Sequence, residues 1–234
     1  MKYLIGLIFI VGFISCQDNN DPDLDNNDKN DGLIAYFPLD SNYIDASGND
    51  VHLQAFGNPE FVPGYQDESS SAVLLDGEDD FLVGLIGKLE TFSISMWLKS
   101  SRYYVGEWPE WRSAFFDYSN KQVYSGIDGI SGATQIKGGI ESEEIAAIEI
   151  DNCAEWFHLF MSVSNDVKIY LNGSLLKTES LDDTITYLND TIYFGRASKD
   201  DDIYLTHFYG KLDEIRIFNR ILDQKEIDEL SYQQ

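Results

Sequence analysis

Basic residues, cysteine and histidine are all scarce in this chain of 234 residues. Its 16 lysines and arginines are outnumbered by 41 acidic residues, which gives a formal net charge of −25. Such a charge repels phosphate backbones and anionic lipid headgroups, so nucleic acid is excluded as a partner and neutral ligands and divalent cations remain. The three histidines are scattered and form no metal-spaced pair.

A long hydrophobic run is also missing. The apolar stretch Tyr3–Ile14, which follows Lys2, is shorter than the roughly 20 residues that a membrane-spanning helix needs. A basic start, a short apolar core and a small residue are the parts of a secretory signal, so residues 1–15 are excluded from the fold.

The end of this stretch, Phe13-Ile14-Ser15-Cys16, resembles the lipobox of bacterial lipoproteins, in which signal peptidase cuts before the cysteine and the thiol receives a diacylglycerol. Ser15 fits this pattern, whereas Phe13 stands where leucine is usual. The alternative is an ordinary signal peptide followed by a chance cysteine. If Cys16 is lipidated, Cys153 is the remaining thiol and no intrachain disulfide can form.

The segment from 17 to 31, QDNNDPDLDNNDKND, has a single apolar residue, Leu24. It buries too little apolar surface to offset the entropy of ordering it, so we expect residues 16–31 to be a lipidated cysteine with a disordered acidic tether. Acidic residues directly after the cysteine resemble the signal that sends some Gram-negative lipoproteins to the outer face of the outer membrane. The resemblance implies a cell-surface lipoprotein that contacts the membrane only through its N-terminal lipid.

The remaining residues, 32–234, are rich in Tyr, Phe, Val and Ile, with little helical periodicity, which indicates one all-β domain. Apolar and polar residues alternate in TFSISMWLKS (91–100) and WFHLFMSVS (156–164), as in strands with two different faces. Asn172-Gly173 lies between two strand-like runs and predicts a type I′ hairpin.

One helix is predicted near the C-terminus. Asp223 is placed to cap it, and Glu226, three residues later, completes a capping box. Ile227 and Leu230 then form a short apolar stripe, so we expect this helix to close one edge of a sheet.

Several segments arrive in an order that resembles the laminin-G-like and concanavalin A-like lectin and glucanase superfamily. They include LIAYFPLDSNYIDASGND, AVLLDGEDDFL, FSISMWLKS, IYFGRAS and GKLDEIRIFNRILDQKEIDEL. The resemblance covers about Leu33 to Leu230 and is weakest from Ser100 to Ala154. It implies a jelly-roll sandwich of two antiparallel sheets with a short C-terminal helix. It also implies that the first and last strands lie close together, which places the tether near the helix.

Glucanases share this fold, so catalysis has to be considered. Retaining members of the laminarinase type carry Glu-x-Asp-x-Glu on one strand, because alternation places all three carboxylates on one face. The nearest matches are Glu149-Ile150-Asp151, which lacks the third acid, and Glu141-Ser142-Glu143, which lacks the central Asp. We therefore expect no enzymatic activity. His158 is expected to be a packed structural residue.

An aromatic segment, RYYVGEWPEW (102–111), has a pattern of neither helix nor strand. Flat rings beside carboxylates suit a sugar-binding site, since a ring covers the C–H face of a sugar while the acid accepts its hydroxyl protons. The alternative is that these rings pack inward and close one end of the sandwich. The candidate ligand-binding residues are Tyr103, Tyr104, Trp108 and Trp111.

The function that these features favour is a surface-anchored, non-catalytic carbohydrate-binding or adhesion module with a glycan or glycoprotein ligand. One alternative is a glycoside hydrolase with a degenerate acid motif. The other is a structural or scaffolding subunit of a cell-surface complex, which would use the aromatic segment as a flat apolar patch.

The superfamily resemblance further implies a structural calcium ion. Related domains bind one through an Asp at the start of the last strand, which Asp213 matches here, together with oxygens near the first strand. The alternative is that Asp213 caps a turn or pairs with a nearby cation, and that the loop after the first strand is solvated. We expect three acidic loops to meet at this ion, and their candidate ligands are Asp40, Asn42, Asp76, Gly77 and Asp213.

The anchor prediction is tested by Cys16→Ser. Without the thiol there is nothing to acylate, so the variant is expected to move from the membrane fraction to the soluble fraction when cells are fractionated. Cys153→Ser is the matched control and should remain with the membranes. Retention of the Cys16→Ser protein in the membrane fraction would place the anchor elsewhere.

Overall fold

The computed structural model describes residues 31–101, 111–119, 123–130, 133–140, 143–150, 154–181, 187–197 and 205–232. The predicted signal peptide (1–15), Cys16 and the tether up to residue 30 lie outside these residues, as does Cys153.

Strands dominate the described chain, and one helix follows them. In chain order the elements are β1 (Leu33–Phe37), β2 (Gln54–Phe56), β3 (Glu60–Val62), β4 (Ala72–Asp76), β5 (Phe81–Leu85), β6 (Phe92–Ser100), β7 (Trp111–Tyr118), β8 (Val123–Ile130), β9 (Ala133–Ile140), β10 (Glu143–Ile150), β11 (Phe157–Val163), β12 (Asp166–Leu171), β13 (Ser174–Ser180), β14 (Thr191–Phe194), β15 (Leu205–Thr206), β16 (Tyr209–Phe218) and α1 (Gln224–Ser231).

The strands form two eight-stranded sheets. Sheet A has the order β13-β12-β11-β6-β16-β4-β3, and β1 also pairs with β16. Sheet B has the order β10-β9-β8-β7-β14-β5-β2, and β15 also pairs with β7. All of these pairs are antiparallel except the short β15–β7 pair, so the predicted all-β, two-sheet architecture is confirmed.

The core lies between the sheets and follows from alternation along each strand. In β6 and β11 the inward residues, such as Ile94 and Leu159, are fully buried in one cluster. Leu82 and Phe194 of sheet B join the same cluster. Because successive side chains of a strand point to opposite faces, the residues next to these in sequence are placed on the outer faces of the sandwich.

The predicted hairpin is present between β12 and β13. Asn172 and Gly173 have φ values of +48° and +77°, the left-handed pair that a type I′ turn requires. By contrast, the four-stranded meander β7 to β10 lies in the segment whose sequence resembled the superfamily least.

The predicted helix is also present, and its capping box is complete. Asp223 Oδ1 accepts the backbone N–H of Glu226 at 2.9 Å, and Glu226 Oε2 accepts the N–H of Asp223 at 2.9 Å. The helix does not close a sheet edge as expected. It lies on the outer face of sheet A, because Phe160, Tyr170 and Phe218 point outward there and pack with Ile227. None of the helices in the described residues is long and apolar enough to cross a membrane.

The first and last strands lie side by side, as predicted. Leu33 is opposite Phe218 in the β1–β16 ladder. Just before β1, the backbone oxygen of Asp31 accepts a hydrogen bond from Arg220 Nε at 2.8 Å, and Arg220 also pairs with Glu226 of the helix at 2.6 Å. The described chain therefore begins beside α1.

His158 is a packed residue on the outer face of sheet A, and it has no exposed surface. Its Nε2 lies 2.8 Å from Ser95 Oγ, whereas its Nδ1 has no hydrogen-bond partner among the residues that the structure describes. Burial, with a smaller contribution from the positive charge of Arg216, lowers the pKa of His158 from 6.5 to about 3.

This burial makes His158 a source of acid sensitivity. The unfolded chain binds a proton near pH 6.5 and the folded chain only near pH 3, so stability from this residue is complete above pH 6.5 and is lost as the pH falls toward 3. One such proton changes the unfolding free energy by about 1.4 kcal/mol per pH unit. Between pH 6 and 4, urea unfolding of His158→Gln should therefore show a shallower pH dependence than the wild type. Equal slopes would contradict the prediction, whatever the absolute stability of the variant.

Candidate functional site

The outer face of sheet B displays an unusual row of side chains, which we call the sheet B face. Leu82, Ile192 and Val123 point into the core, so their neighbours in sequence point outward. Strand register aligns these neighbours across six strands. The row consists of Gln54, Val83, Tyr193, Asp117, Tyr124 and Gly139.

A glycine shapes one end of this row. A Cβ added to Gly139 would lie 2.1 to 2.2 Å from ring atoms of Tyr124, so the tyrosine ring lies directly across the glycine. Only the absence of a side chain at 139 allows this position. Asp117, between Tyr124 and Tyr193 in the register, is completely buried. The central part of the face thus combines two tyrosines with one carboxylate.

A second aromatic group lies at one end of the same face. The rings of Phe56 and Phe81 are parallel within 2°, with centroids 4.6 Å apart. The guanidinium of Arg196 lies 4.5 Å from the centre of the Phe81 ring, and the His207 ring lies 6.0 Å from it. Phe81 is held between Phe56 and Arg196, which leaves Phe56, 38% exposed on the edge strand β2, as the ring that a ligand can reach.

An acidic turn, residues 76–80, connects β4 to this aromatic group. The carboxylates of Asp76, Asp79 and Asp80 come within 4.8 Å of one another. Asp76 Oδ1 accepts the backbone N–H of Glu78 at 2.8 Å, and this bond, followed by smaller ones, lowers the pKa of Asp76. The backbone donors therefore favour the ionised form of Asp76. Asp76 and Gly77 were predicted as calcium ligands, and the structure places them here.

The predicted aromatic site falls largely outside the described residues, which include none of Tyr103, Tyr104 and Trp108. Trp111 begins β7, with its backbone opposite Gly129. Directly before the segment, the N–H of Ser101 donates to the carbonyl of Tyr209 at 3.0 Å. Ser101 and Trp111, which flank the segment, lie at the end of the sandwich that carries Phe81 and His207. The start of β7 is there because it pairs with β15, which directly precedes His207.

The opposite sheet carries a polar cavity of about 330 Å³ on its outer face, which we call the acidic cavity. Its floor includes the last strand, β16, and its rim includes the loops after β1 and before β4. Four acids and one basic residue contribute to it. The lining residues are Tyr36, Asp40, Tyr65, Gln66, Glu68, Ser71, Asp213, Glu214 and Arg216.

Asp213 is the buried acid of this cavity, with 2% of its surface exposed. Its Oδ2 accepts the backbone N–H of Tyr65 at 3.0 Å. Burial outweighs this bond, and with the neighbouring charges of Glu214 and Asp40 it raises the pKa of Asp213 to about 7. A cation beside this carboxylate would favour its ionised form.

A β-bulge in β16 directs two consecutive acids into the cavity. The register with β6 shifts between Asp213 and Arg216, and Glu214 has a φ of +52°. Glu214 is then neutralised: Arg216 pairs with it at 2.5 Å, and the Tyr36 hydroxyl donates to it at 2.8 Å. The excess negative charge of the cavity comes from the remaining acids.

The calcium ligands predicted from the resemblance are thus divided between two places. Asp40 lines the acidic cavity together with Asp213. Asn42 lies next to them and donates its side-chain amide to the Asp40 carbonyl at 2.7 Å. Asp76 is opposite Tyr209, four residues before Asp213 on β16, which is about 13 Å away along the strand.

The residues of the acidic cavity fit a hard divalent cation. Calcium binds carboxylate, carbonyl and water oxygens, and Asp40, Glu68 and Asp213 supply carboxylates around a polar space. Among these three, Asp213 is the one withdrawn from water, so it would gain most from a bound cation.

The candidate catalytic acids do not come together with Asp117. A retaining glycosidase needs two carboxyl groups about 5 Å apart. Glu149 lies on β10, three strands from β7, which is about 14 Å across the sheet. Glu143 begins the same edge strand, whereas Glu141 and Asp151 lie outside the described residues.

Sequence reasoning missed the sheet B face. Its alternation was visible in FLVGL and TIYF, where Phe81 and Tyr193 occupy outward positions. The segments are short, however, and nothing in them shows that β5 and β14 become neighbours. Asp117 lay in the segment with the weakest resemblance, and its pairing with Tyr193 depends on non-local register.

The sequence matches the profile of the concanavalin A-like lectin/glucanases superfamily over residues 68–228. The chain belongs to this superfamily. No curated protein matches the sequence.

Solved structures with this fold include a neurotoxin binding domain and a domain of an arabinanase. The binding domain of botulinum neurotoxin DC in complex with SialylT has a TM-score of 0.66 and 19% identity over 88% of this chain, which spans 52% of that one. Domain 4 of AbnA, a GH43 extracellular arabinanase from Geobacillus stearothermophilus in complex with arabinotriose, has a TM-score of 0.62 and 21% identity over 85% of this chain and 98% of that domain. The chain therefore spans about half the length of the toxin fragment and nearly all of the arabinanase domain.

Proposed function

We propose that this protein is a non-catalytic carbohydrate-binding protein of the cell surface and that the sheet B face is its glycan site. The observation that carries the proposal is the set of aromatic rings on that face, Phe56, Tyr193 and Tyr124, whereas Asp117 is buried beneath the two tyrosine positions and supports the face from within. Rings of this kind cover the C–H face of a sugar, and carboxylates accept its hydroxyl protons.

The charge of the chain narrows the class of glycan. With a net charge of −25, the protein repels uronate-rich and sulfated polymers over a long range. A neutral glycan carries no such penalty. The proposed ligand is therefore a neutral oligosaccharide or polysaccharide, or a glycoprotein that displays one.

Two similar structures support a carbohydrate ligand in general. The arabinanase domain was solved with arabinotriose, and the neurotoxin binding domain was solved with SialylT. Both structures share the fold of this chain, and neither identifies a ligand-binding residue in it.

The proposed location is the outer face of the outer membrane, with the lipid on Cys16 as the anchor. The tether then separates the sandwich from the lipid. Tyr103, Tyr104, Trp108 and Trp111 remain proposed ligand contacts, since their segment joins β6 to β7 at the end of the sheet B face that carries Phe81.

The second part of the proposal is a structural calcium ion in the acidic cavity, held by Asp40, Asp213 and nearby oxygens, including that of Asn42. The ion would neutralise the buried Asp213 and join the loop after β1 to β16. Asp76 and Gly77 are not included, because they lie in the acidic turn beside the sheet B face.

The glycan site is tested with Phe56→Ala and Gly139→Ala, after a glycan array has identified a ligand. Phe56→Ala removes the accessible ring, and Gly139→Ala displaces Tyr124 without removing it. A stacking ring at the edge of a site contributes on the order of 1 kcal/mol, so titration calorimetry should show about a fivefold loss of affinity for Phe56→Ala.

The matched control is Leu175→Ala, which truncates a side chain 49% exposed on β13 of the other sheet. It should bind like the wild type. Unchanged affinity in both sheet B variants would reject this face as the site, and melting temperatures show whether either variant is unfolded.

The calcium proposal is tested by calorimetric melting with calcium, with chelator and with Asp213→Asn. At a free calcium concentration 100 times the dissociation constant, binding stabilises the fold by about 2.7 kcal/mol, which raises the melting temperature by roughly 5 to 10 °C. The Asp213→Asn protein should not respond to chelator, whereas Asp76→Asn should respond like the wild type. A wild-type melting temperature that ignores chelator would end the idea.

A further inference from the structure

The strand β16 runs the length of the sandwich, and its two ends lie in different surroundings. Its ten residues span about 30 Å. At the first end, Tyr209 is opposite Asp76 of the acidic turn. At the other end, Phe218 is opposite Leu33, where the described chain begins.

The aromatic end of the sheet B face belongs to the Tyr209 end. Phe208, directly before Tyr209, donates its N–H to the carbonyl of Gly195 at 2.7 Å, and Gly195 donates to Phe115 at 3.0 Å. Arg196 follows Gly195 and lies over Phe81. These bonds join the last strand of sheet A to the aromatic group of sheet B.

The tether belongs to the opposite end. The N–H of Asn219 donates to the carbonyl of Gly32 at 2.8 Å, and Arg220 Nε donates to the carbonyl of Asp31 at 2.8 Å. The Arg220 guanidinium also donates two hydrogen bonds to the carboxylate of Glu226 in α1, which fixes its position. The point where the tether enters the domain is therefore held against α1.

We propose that the Tyr209 end of the sandwich faces away from the membrane. The sheet B face then binds a glycan presented from outside the cell and does not bind a sugar headgroup of the membrane that carries the protein. This inference rests on the proposed glycan function and on the anchor at Cys16. Beyond the proposed function, it specifies how the domain is oriented relative to the membrane and where the bound glycan comes from.

The length of the tether supports this arrangement. If residues 16–30 form the flexible tether that their composition predicts, their root-mean-square length is about 21 Å, which is less than the roughly 30 Å between the two ends of β16. The Phe218 end is then on average the end nearer to the lipid, and bringing the Tyr209 end to the membrane instead would stretch the tether well beyond this average length. Laying the domain flat would press a strongly acidic surface onto the headgroups, which anionic lipids oppose.

Two positions allow a matched test, since Tyr209 and Ile221 are both 37% exposed and lie at opposite ends of β16. Tyr209→Cys and Ile221→Cys are made separately in a Cys153→Ser background, labelled with one fluorophore, and reconstituted as full-length lipidated protein in phosphatidylcholine vesicles. A fraction of the lipids carries a quencher on the headgroup. Quenching should be several-fold stronger at Ile221→Cys than at Tyr209→Cys.

Equal quenching at the two positions, or stronger quenching at Tyr209→Cys, would overturn the proposal. Failure of the protein to float with the vesicles would overturn it as well, because the anchor would then be absent. Soluble protein prepared as Cys16→Ser gives the unquenched reference for both labels.

A second arm separates this inference from the proposed function. The oligosaccharide identified on the glycan array is attached either to beads or to a lipid in the same vesicles. The proposal is supported if the protein binds the sugar on the beads, so that the beads capture the vesicles, and does not bind the sugar on lipids of its own vesicle. Occupancy of the lipid-linked sugar would overturn it. If the quenching differs as expected but Phe56→Ala leaves glycan affinity unchanged, the orientation stands and the assigned glycan site fails.

Discussion

The fold depends on the backbone pairing of one strand. β16 pairs with β6 along one side and, on the other side, with β4 over its first half and β1 over its second half. This strand joins the two ends of the chain to the middle of sheet A. Such non-local ladders and the buried core between the sheets hold the domain together.

The two sheets use their outer faces differently because their outward residues differ. On sheet A, Phe160, Tyr170 and Phe218 are covered by α1, and the space beside them is the acidic cavity. On sheet B, Tyr193 and Tyr124 are placed in one row by strand register alone. The first face suits a cation that stabilises the fold, and the second suits the C–H faces of a sugar.

Local patterns in the sequence predicted those features that local chemistry determines. The alternation in β6, the Asn172-Gly173 turn and the capping box at Asp223 depend on residues close together in the chain. The strands of the meander β7 to β10 were the least certain from the sequence, because Phe115, Phe116 and Asp117 are all buried around a register shift and show no alternation. The separation of Asp76 from Asp213 was missed because it depends on register between β4 and β16, which no short motif encodes.

The bulge at Asp213 and Glu214 separates the two halves of β16. Because the additional residue is absorbed there, Leu212 and Ile215 both remain in the core on either side of it. Each half therefore keeps its own register. The acids that line the acidic cavity lie on the outer side of the bulge and take no part in the packing of the core. The acids at this point can therefore be exchanged for other polar residues while the same core remains intact.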